Sequence, residues 1–527
     1  MSKSPSNNIS RNVGRVGALT GLSRVLGLVR VMLTSRLIGA GMMQSAFVVA
    51  FQIPNLFRKL LGEGALTAAF VPVFKEQLVR GDEEGARRLA RAVASMVFLL
   101  LGAVCVAGIA GISVVLPFIN PDGETAATLR LTRVMLPYAA MICTAAFAAG
   151  VLNGVGKFWH AAFAPALLNL IWIPTLVSFW FFPQLTVQRR IEIVSWSVLL
   201  SGVSQMLFLL RASARNGVTL SLTFQAWRDA GVATVWRNTF IGAISAGAIQ
   251  INLVVDNLLA FKAAEYGPCA IEYAERLVYL PLGVVATAFV TVLLPTLSGR
   301  FAKDALGEAR ALLGKSVEEM LALMLPAAAG LFVMSHEIVE LVYEGREFTQ
   351  ADTIFVSRAL QCYALGLVAF SLHKMLSVWF HAQKDMKTPL KVGVMMIALN
   401  VTLNVAGIIF LPDGWKHAGI AASTVVCSFI SSGILALIAL RRRIAPDFRA
   451  IGATALRLLA ATAIMTAATF FARNYFYELV AYNQVPKLFG VLVPIAAALA
   501  TYALTLPLIC PKITRRMFGK TSAKRSR

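Results

Sequence analysis

Acidic residues are scarce in this 527-residue chain, 26 Asp and Glu against 49 Lys and Arg, for a formal charge of +23. Charged residues of both signs together make up only 14% of it. The five histidines (His160, His336, His373, His381, His417) lie far apart. No Ser/His/Asp or metal-ligand spacing accompanies them, so the sequence offers no hydrolase or transferase centre, and they are expected at interfaces or in loops. The six cysteines (Cys105, Cys143, Cys269, Cys362, Cys427, Cys510) lack paired spacing. That argues against a disulfide framework or zinc site and leaves them as small packing residues. No convincing small-residue cleavage site follows the polar start, Met1 to Arg15, so the first apolar segment is expected to be retained. What is abundant is hydrocarbon. Apolar residues reach 58% and mean hydropathy is +0.72, against about 45–50% apolar in soluble domains. The excess belongs in lipid. Nucleic-acid binding is excluded because the basic residues lie in short segments between apolar runs instead of on one soluble face.

Apolar runs bounded by Gly, Pro and charge clusters predict an all-α polytopic membrane protein of about fourteen helices. The first spans fall at 16–39 and 42–62, the fourth at 127–152, the seventh and eighth at 238–261 and 270–297, and the eleventh and twelfth at 390–410 and 418–440. An even count puts both termini on one side. With that side cytoplasmic, the clusters Lys75 to Arg91, Arg211 to Arg237, Arg300 to Lys315, Lys384 to Lys391, Arg441 to Arg443 and Lys512 to Arg527 all lie inside. Roughly four Lys/Arg then lie inside for each one outside, as the positive-inside rule requires. Arg189 and Arg190 are the exception, and the outer segments carry acids, among them Glu337, Glu340, Glu344 and Glu347. An offset of about 225 residues pairs Gly41 with Gly267, Pro54 with Pro281, Pro72 with Pro295, Tyr138 with Tyr363 and Pro165 with Pro389. This predicts a parallel repeat: a first lobe over 1–215, a second over 216–443, and two further helices with a basic cytoplasmic tail over 444–527. Substrate is expected between the lobes.

Ionisable residues inside spans are costly and usually face a bundle interior or a wet cavity. Arg24, Arg30 and Arg36 fall in the first span, Arg58, Lys59 and Glu63 in or beside the second, and Glu272, Glu275 and Arg276 in the eighth. Guanidinium suits bidentate recognition of phosphate, so such a cavity would select an anion. Arg36 and Lys59 sit near span ends, where snorkelling to the interface is the simpler reading. Arg24 and Arg30 lie about 240° apart around a straight helix, and Gly27 between them permits a bend. Asp256, Asn400, Asn404, Ser423 and Thr424 form a second polar set. Its oxygens suit a hard monovalent cation such as sodium; interhelical hydrogen bonding is the alternative reading.

The segments "SRVLGLVR" at 23–30, "GAG" at 39–41, "AFVVAFQIPNLFRKLLGEGALTAAFVPVF" at 46–74, "YAERLVYLPLGVVATAFVTVLLPTLS" at 273–298 and "KDMKTPLK" at 384–391 resemble the motifs of the MurJ/MviN family of lipid II flippases. The resemblance runs in order over the first twelve spans and is weaker beyond. It implies alternating-access export of undecaprenyl-diphosphate-linked peptidoglycan precursor across the bacterial inner membrane, without catalysis or a resident cofactor. By motif position it implies substrate contacts at Arg24, Arg30, Arg58, Glu63 and Arg276. It also implies sodium, the candidate coupling ion, at Asp256, Asn400, Asn404 and Thr424. The expected partners are lipid II, membrane lipids and cell-wall synthesis proteins. Val31 and Ser45 stand where family members often carry acids, which would leave the cavity more cationic. The rival reading is a flippase for another polyprenyl-diphosphate-linked oligosaccharide. A glycosyltransferase would need catalytic acids near a membrane face, which the sequence lacks.

Overall fold

The computed structural model describes the backbone of residues 5–121, 123–223, 230–481 and 485–518. Within these, the side chains of 5–18, 20, 62–65, 230, 241–246, 248, 249, 251 and 481 are not described. Every secondary-structure element among the described residues is helical. The helices run α1 (Pro5–Ile38), α2 (Met42–Phe57), α3 (Leu66–Val79), α4 (Glu83–Val115), α5 (Glu124–Met135), α6 (Pro137–Gly154), α7 (Phe158–Ser178), α8 (Val187–Arg215) and α9 (Ala230–Ala263). They continue with α10 (Gly267–Pro281), α11 (Thr287–Phe301), α12 (Leu306–Val333), α13 (Ser335–Tyr343), α14 (Gln350–Ala382), α15 (Lys387–Phe410), α16 (Lys416–Arg441), α17 (Phe448–Ala481), α18 (Lys487–Ile509) and α19 (Pro511–Phe518).

Each expected span overlaps a helical segment, though several helices extend well beyond it, as α9 does by eight residues at its start. Eleven helical segments among the described residues are long and apolar enough to cross a membrane. The three not among them, α1, the α2–α3 run and α9, each contain residues outside the described set. One span departs in detail. The segment expected at 127–152 divides into α5 and α6, where Pro137 opens α6 with its fixed backbone angle and no N–H to give.

The repeat has a structural counterpart. Pro54 lies near the end of α2, and a π-helical stretch, Arg58–Ala65, joins α2 to α3. At the matching position Pro281 ends α10, and a second π stretch, Leu282–Ala286, joins α10 to α11. Proline removes one backbone donor and crowds the preceding turn. A wider turn beyond it keeps the backbone hydrogen-bonded in the same rod, and such π segments are frequent at functional sites. Pro72 and Pro295 recur inside α3 and α11.

Two compact units are present. The first comprises Met1–Phe261 with Gly345–Phe348, and the second Lys262–Glu344 with Thr349–Arg527. In the first unit, α1 ends against the four-residue strap 345–348. Glu347 N donates to Arg36 O at 3.0 Å. Arg190 of α8, 2% exposed, donates through Nη1 to Leu37 O and to Glu347 Oε1, both at 2.8 Å, and through Nη2 to Pro183 O at 3.3 Å. The last carbonyls of a helix have no partner within it, and a buried cation there meets both the hydrogen-bond deficit and the negative end of the dipole. Gly39 follows with φ +84°, and a Cβ on it would overlap the Glu347 carbonyl oxygen. The exceptional outer arginine of the charge pattern is therefore a buried clasp, and the "GAG" glycine is required by close approach.

In the second unit the acids expected in an outer loop stand on or just beyond α13 and are paired. Glu337, 5% exposed, meets Arg473 of α17, and Lys487 at the start of α18 meets Glu340 at 2.6 Å and Glu344 at 3.2 Å. At the other end of the pair, Thr454 Oγ1 donates to Glu318 Oε1 at 2.8 Å and Arg516 of α19 pairs with Glu318. Tyr502 Oη donates to Ala322 O at 2.7 Å. The two added helices are thus stapled to α12 and α13 at both ends.

Five of the six cysteines are buried, as packing residues should be. Two of the histidines lie where helices meet. His373 lies within α14 against Ser431 Oγ, 3.0 Å from Nδ1, and His417 is fully buried with Nε2 2.9 Å from Phe355 O. Both bind helices together instead of sitting in loops.

Removing one partner of a buried ion pair leaves a stranded charge and typically costs about 3–5 kcal/mol. Arg190→Ala should therefore lower thermal stability of the purified protein sharply. Glu347→Gln, which leaves Arg190 its two carbonyl acceptors, should lower it less. Equal melting of wild type and Arg190→Ala would contradict the clasp.

Candidate functional site

In the first unit the sequence-derived cations sit on two segments, α1 and the π stretch after α2. Arg24 is exposed on α1 and Arg30, two turns on, is half-buried. The helix runs unbroken through Gly27, so the two arginines occupy different faces, as their spacing dictates. The Arg30 guanidinium lies over the Trp172 ring, 4.5 Å from its centroid. Trp172 in turn meets Phe47 at 5.4 Å and Phe51 at 5.8 Å, both edge-on, and Phe51 meets Tyr138 at 5.8 Å. Arg58 opens the π stretch, and its Nε donates to Asn55 Oδ1 at 3.1 Å. The Glu63 backbone belongs to that stretch, but its side chain lies outside the described residues. Val31 and Ser45, the positions without acids, are both buried.

Arg276 stands on α10 of the second unit and pairs with Glu272 one turn earlier, Nη2 to Oε1 at 3.0 Å. Glu275 accepts from Tyr363 Oη at 3.2 Å. The second polar set divides. Asn404 Nδ2 donates to Asn400 Oδ1 at 3.1 Å, and Asn400 Nδ2 reaches Thr424 Oγ1 at 3.4 Å, which joins α15 to α16. Asn400 and Asn404 are buried, at 3% and 0% exposure. Asp256 belongs to α9 of the first unit, where Asn252 Nδ2 donates to its Oδ2 at 3.0 Å. Three neutral oxygen-bearing side chains are thus assembled on α15 and α16. Hard, neutral oxygen donors fit an alkali cation, and the interhelical hydrogen bond between Asn400 and Thr424 is present as well.

The "KDMKTPLK" segment has a structural reading. Asp385 accepts from Thr388 N at 2.9 Å, Thr388 Oγ1 at 2.6 Å and Arg442 Nη1 at 2.6 Å. Arg442 Nη2 also reaches Thr388 Oγ1 at 3.0 Å. Lys384 before it has φ +62°. The motif closes the α14–α15 turn and ties it to the end of α16. Partial burial works to raise the Asp385 pKa, but the hydrogen bonds from Thr388 and Arg442 outweigh it and lower the value to about 2.

Sequence reasoning missed the aromatic group around Arg30. Trp172 reads as one more apolar residue of a span, and only helix packing brings it over the guanidinium.

An all-helical membrane bundle with a Pro-π-Pro rod in each half and arginines set into its apolar helices is built as a helical-repeat transporter. The chain belongs to the family described as lipid II flippase MurJ, whose model matches residues 34–490. It is 34% identical over 435 residues to the probable lipid II flippase MurJ of Rhizobium meliloti, covering 81% of this chain and 80% of the relative. It is 31% identical over 444 residues to the lipid II flippase MurJ of Burkholderia cenocepacia, covering 83% and 84%. The fold matches a solved lipid II flippase MurJ in an inward closed conformation with TM-score 0.77 and 20% identity, over 95% of this chain and 99% of that one. An inward-facing multidrug resistance MATE transporter of the MOP superfamily matches at 0.64 with 17% identity, over 82% and 96%.

A carboxylate whose folded-state pKa is depressed stabilises above its unfolded value, near 4, and loses that contribution as pH falls through the folded value. The stability difference between wild type and Asp385→Asn should therefore be constant from pH 7 down to about 4 and shrink toward pH 2. Melting curves across that range test it, and a pH-independent difference would contradict the lock.

Proposed function

We propose that this chain carries lipid II, the undecaprenyl-diphosphate-linked peptidoglycan precursor, from the cytoplasmic to the outer leaflet of the bacterial inner membrane by alternating access. Its termini are cytoplasmic, it makes no chemical change in the substrate, and it works alongside cell-wall synthesis proteins. Family membership supports the substrate. The observation that carries the reading within this chain is Arg30, a guanidinium kept half-buried in an apolar helix on an aromatic face. A charge held at that cost fits an anion better than a structural role. Arg24, Arg30 and Arg58 of the first unit and Arg276 of the second bind the diphosphate through charge-assisted hydrogen bonds, and Glu63 is the acid of the same set. Sodium binds Asp256, Asn400, Asn404 and Thr424 during the cycle and biases it toward one facing state. Depleting the protein in its host should leave lipid II on the cytoplasmic leaflet. Accumulation of a different polyprenyl-diphosphate sugar there would instead mark that sugar as the substrate.

Replacing Arg24, Arg30, Arg58 or Arg276 singly with Ala should abolish growth complementation at unchanged abundance in the membrane. Full complementation by three of the four would overturn the binding assignment. For the cation, titrating sodium against potassium should raise the melting temperature of the wild type, and Asp256→Ala should remove the response. Equal stabilisation of both proteins would refute the sodium site.

A further inference from the structure

Serine and threonine within a helix commonly donate their hydroxyl proton to the carbonyl four residues earlier. On α14 and α16 Ser357, Ser371, Ser423, Thr424, Ser428 and Ser432 all do so. Among the described residues Ser377 and Ser431 are the exceptions. Both turn to the imidazole of His373, with Ser431 Oγ 3.0 Å from Nδ1 and Ser377 Oγ 3.4 Å from Nε2. The ring is half-buried, and α14 is one of the helices long and apolar enough to cross a membrane.

A hydroxyl both donates and accepts, so this pair serves the ring in either protonation state. Neutral imidazole offers one N–H and one lone pair, and one serine accepts while the other donates. Imidazolium offers two N–H groups, and both serines accept. Each hydroxyl is then free to return its own proton to the carbonyl one turn earlier, as its neighbours do. Rotation of a hydroxyl is all that separates the two states. His417 has the opposite arrangement. Its Nε2 faces the Phe355 carbonyl, which can only accept, and its Nδ1 is buried with no partner among the described residues. A second proton there would have no acceptor, which keeps that ring neutral.

We propose that His373 is a proton-binding site within the membrane part of the second unit, and that its occupancy makes transport depend on pH. The pH dependence rests on the lipid II reading; the proton site does not. Lys374 and His381, both on α14, are the charged or titratable groups that act on the ring among the described residues, and from α16 it faces Ser431. The acids of the helices packed on α14 are engaged elsewhere: Glu275 of α10 by Tyr363, Glu318 and Glu319 of α12 by Arg516, and Glu337 of α13 by Arg473. Arg300 of α11 pairs with Glu308, and Lys387 and Lys391 of α15 and Arg441 of α16 stand at helix ends. No acid among the described residues pairs with the ring, so a bound proton is not trapped in an ion pair and can leave again.

The test uses the full-length protein with isotope-labelled histidine in lipid nanodiscs, read by nuclear magnetic resonance. The His373 signals are identified by their loss in His373→Gln. Between about pH 8 and about pH 5 that ring should pass from neutral to charged, while His417 stays neutral. With Ser377→Ala and Ser431→Ala combined, and melting temperature as the control for folding, the His373 ring should stay neutral throughout. A wild-type ring that keeps one protonation state across the range, or one that titrates identically without the two hydroxyls, would overturn the inference. Lipid II flipping by the reconstituted wild type should vary with pH. His373→Gln, whose amide keeps a donor and an acceptor but exchanges no proton, should lose that dependence. An identical pH profile in both proteins would also overturn it. If the wild type flipped no lipid II, the substrate reading would fail, and the resonance measurement alone would decide the proton site.

Discussion

Polar groups placed in hydrocarbon must find partners within the protein, and this one requirement organises the molecule. Every secondary-structure element described is helical because a helix satisfies its own backbone without neighbours or water. Where proline interrupts that bonding, at Pro54 and Pro281, the chain widens into a π turn and continues as the same rod. Where α1 stops, Arg190 and the Glu347 backbone supply the missing donors. The irregular places are those where a partner had to be imported.

The same requirement sorts the charges. Arg190 is surrounded by carbonyls and a carboxylate, and Arg473 and Arg516 meet glutamates on α13 and α12. These cations join helices. The Arg30 guanidinium also lies over an aromatic face, that of Trp172, which packs with Phe47, Phe51 and Tyr138. In the second unit Arg276 is paired with Glu272 on its own helix, an exposed i,i+4 contact of small worth to stability.

The interlocked Asn400, Asn404 and Thr424 bring neutral oxygens together across α15 and α16. Hydrogen bonding between helices and weak coordination of an alkali cation draw on the same donor set, so the two readings of these residues are compatible. Likewise, the "KDMKTPLK" motif, recognised as a family feature, proves to be a turn lock built on Asp385 and Arg442.

Span positions, the repeat, and the arginines of α1, the π stretch after α2 and α10 were legible in the sequence because they depend on local composition: apolar runs of bilayer length, prolines at matching offsets, charges out of place in such runs. The partners of those charges were not. Arg190 and Glu347 lie 157 residues apart, and Asn169 and Ser23 146 apart; nothing in either local sequence marks the pairing. Glu337 read as an outer acid, His417 as an interface or loop residue and Trp172 as one more apolar residue, because burial and contact are properties of packed helices. Sequence alone determined which segments enter the membrane and which cations enter with them, since transfer free energy is a sum over local residues. Tertiary structure alone decided which groups each cation meets, since that depends on what the neighbouring helix places within a few ångströms.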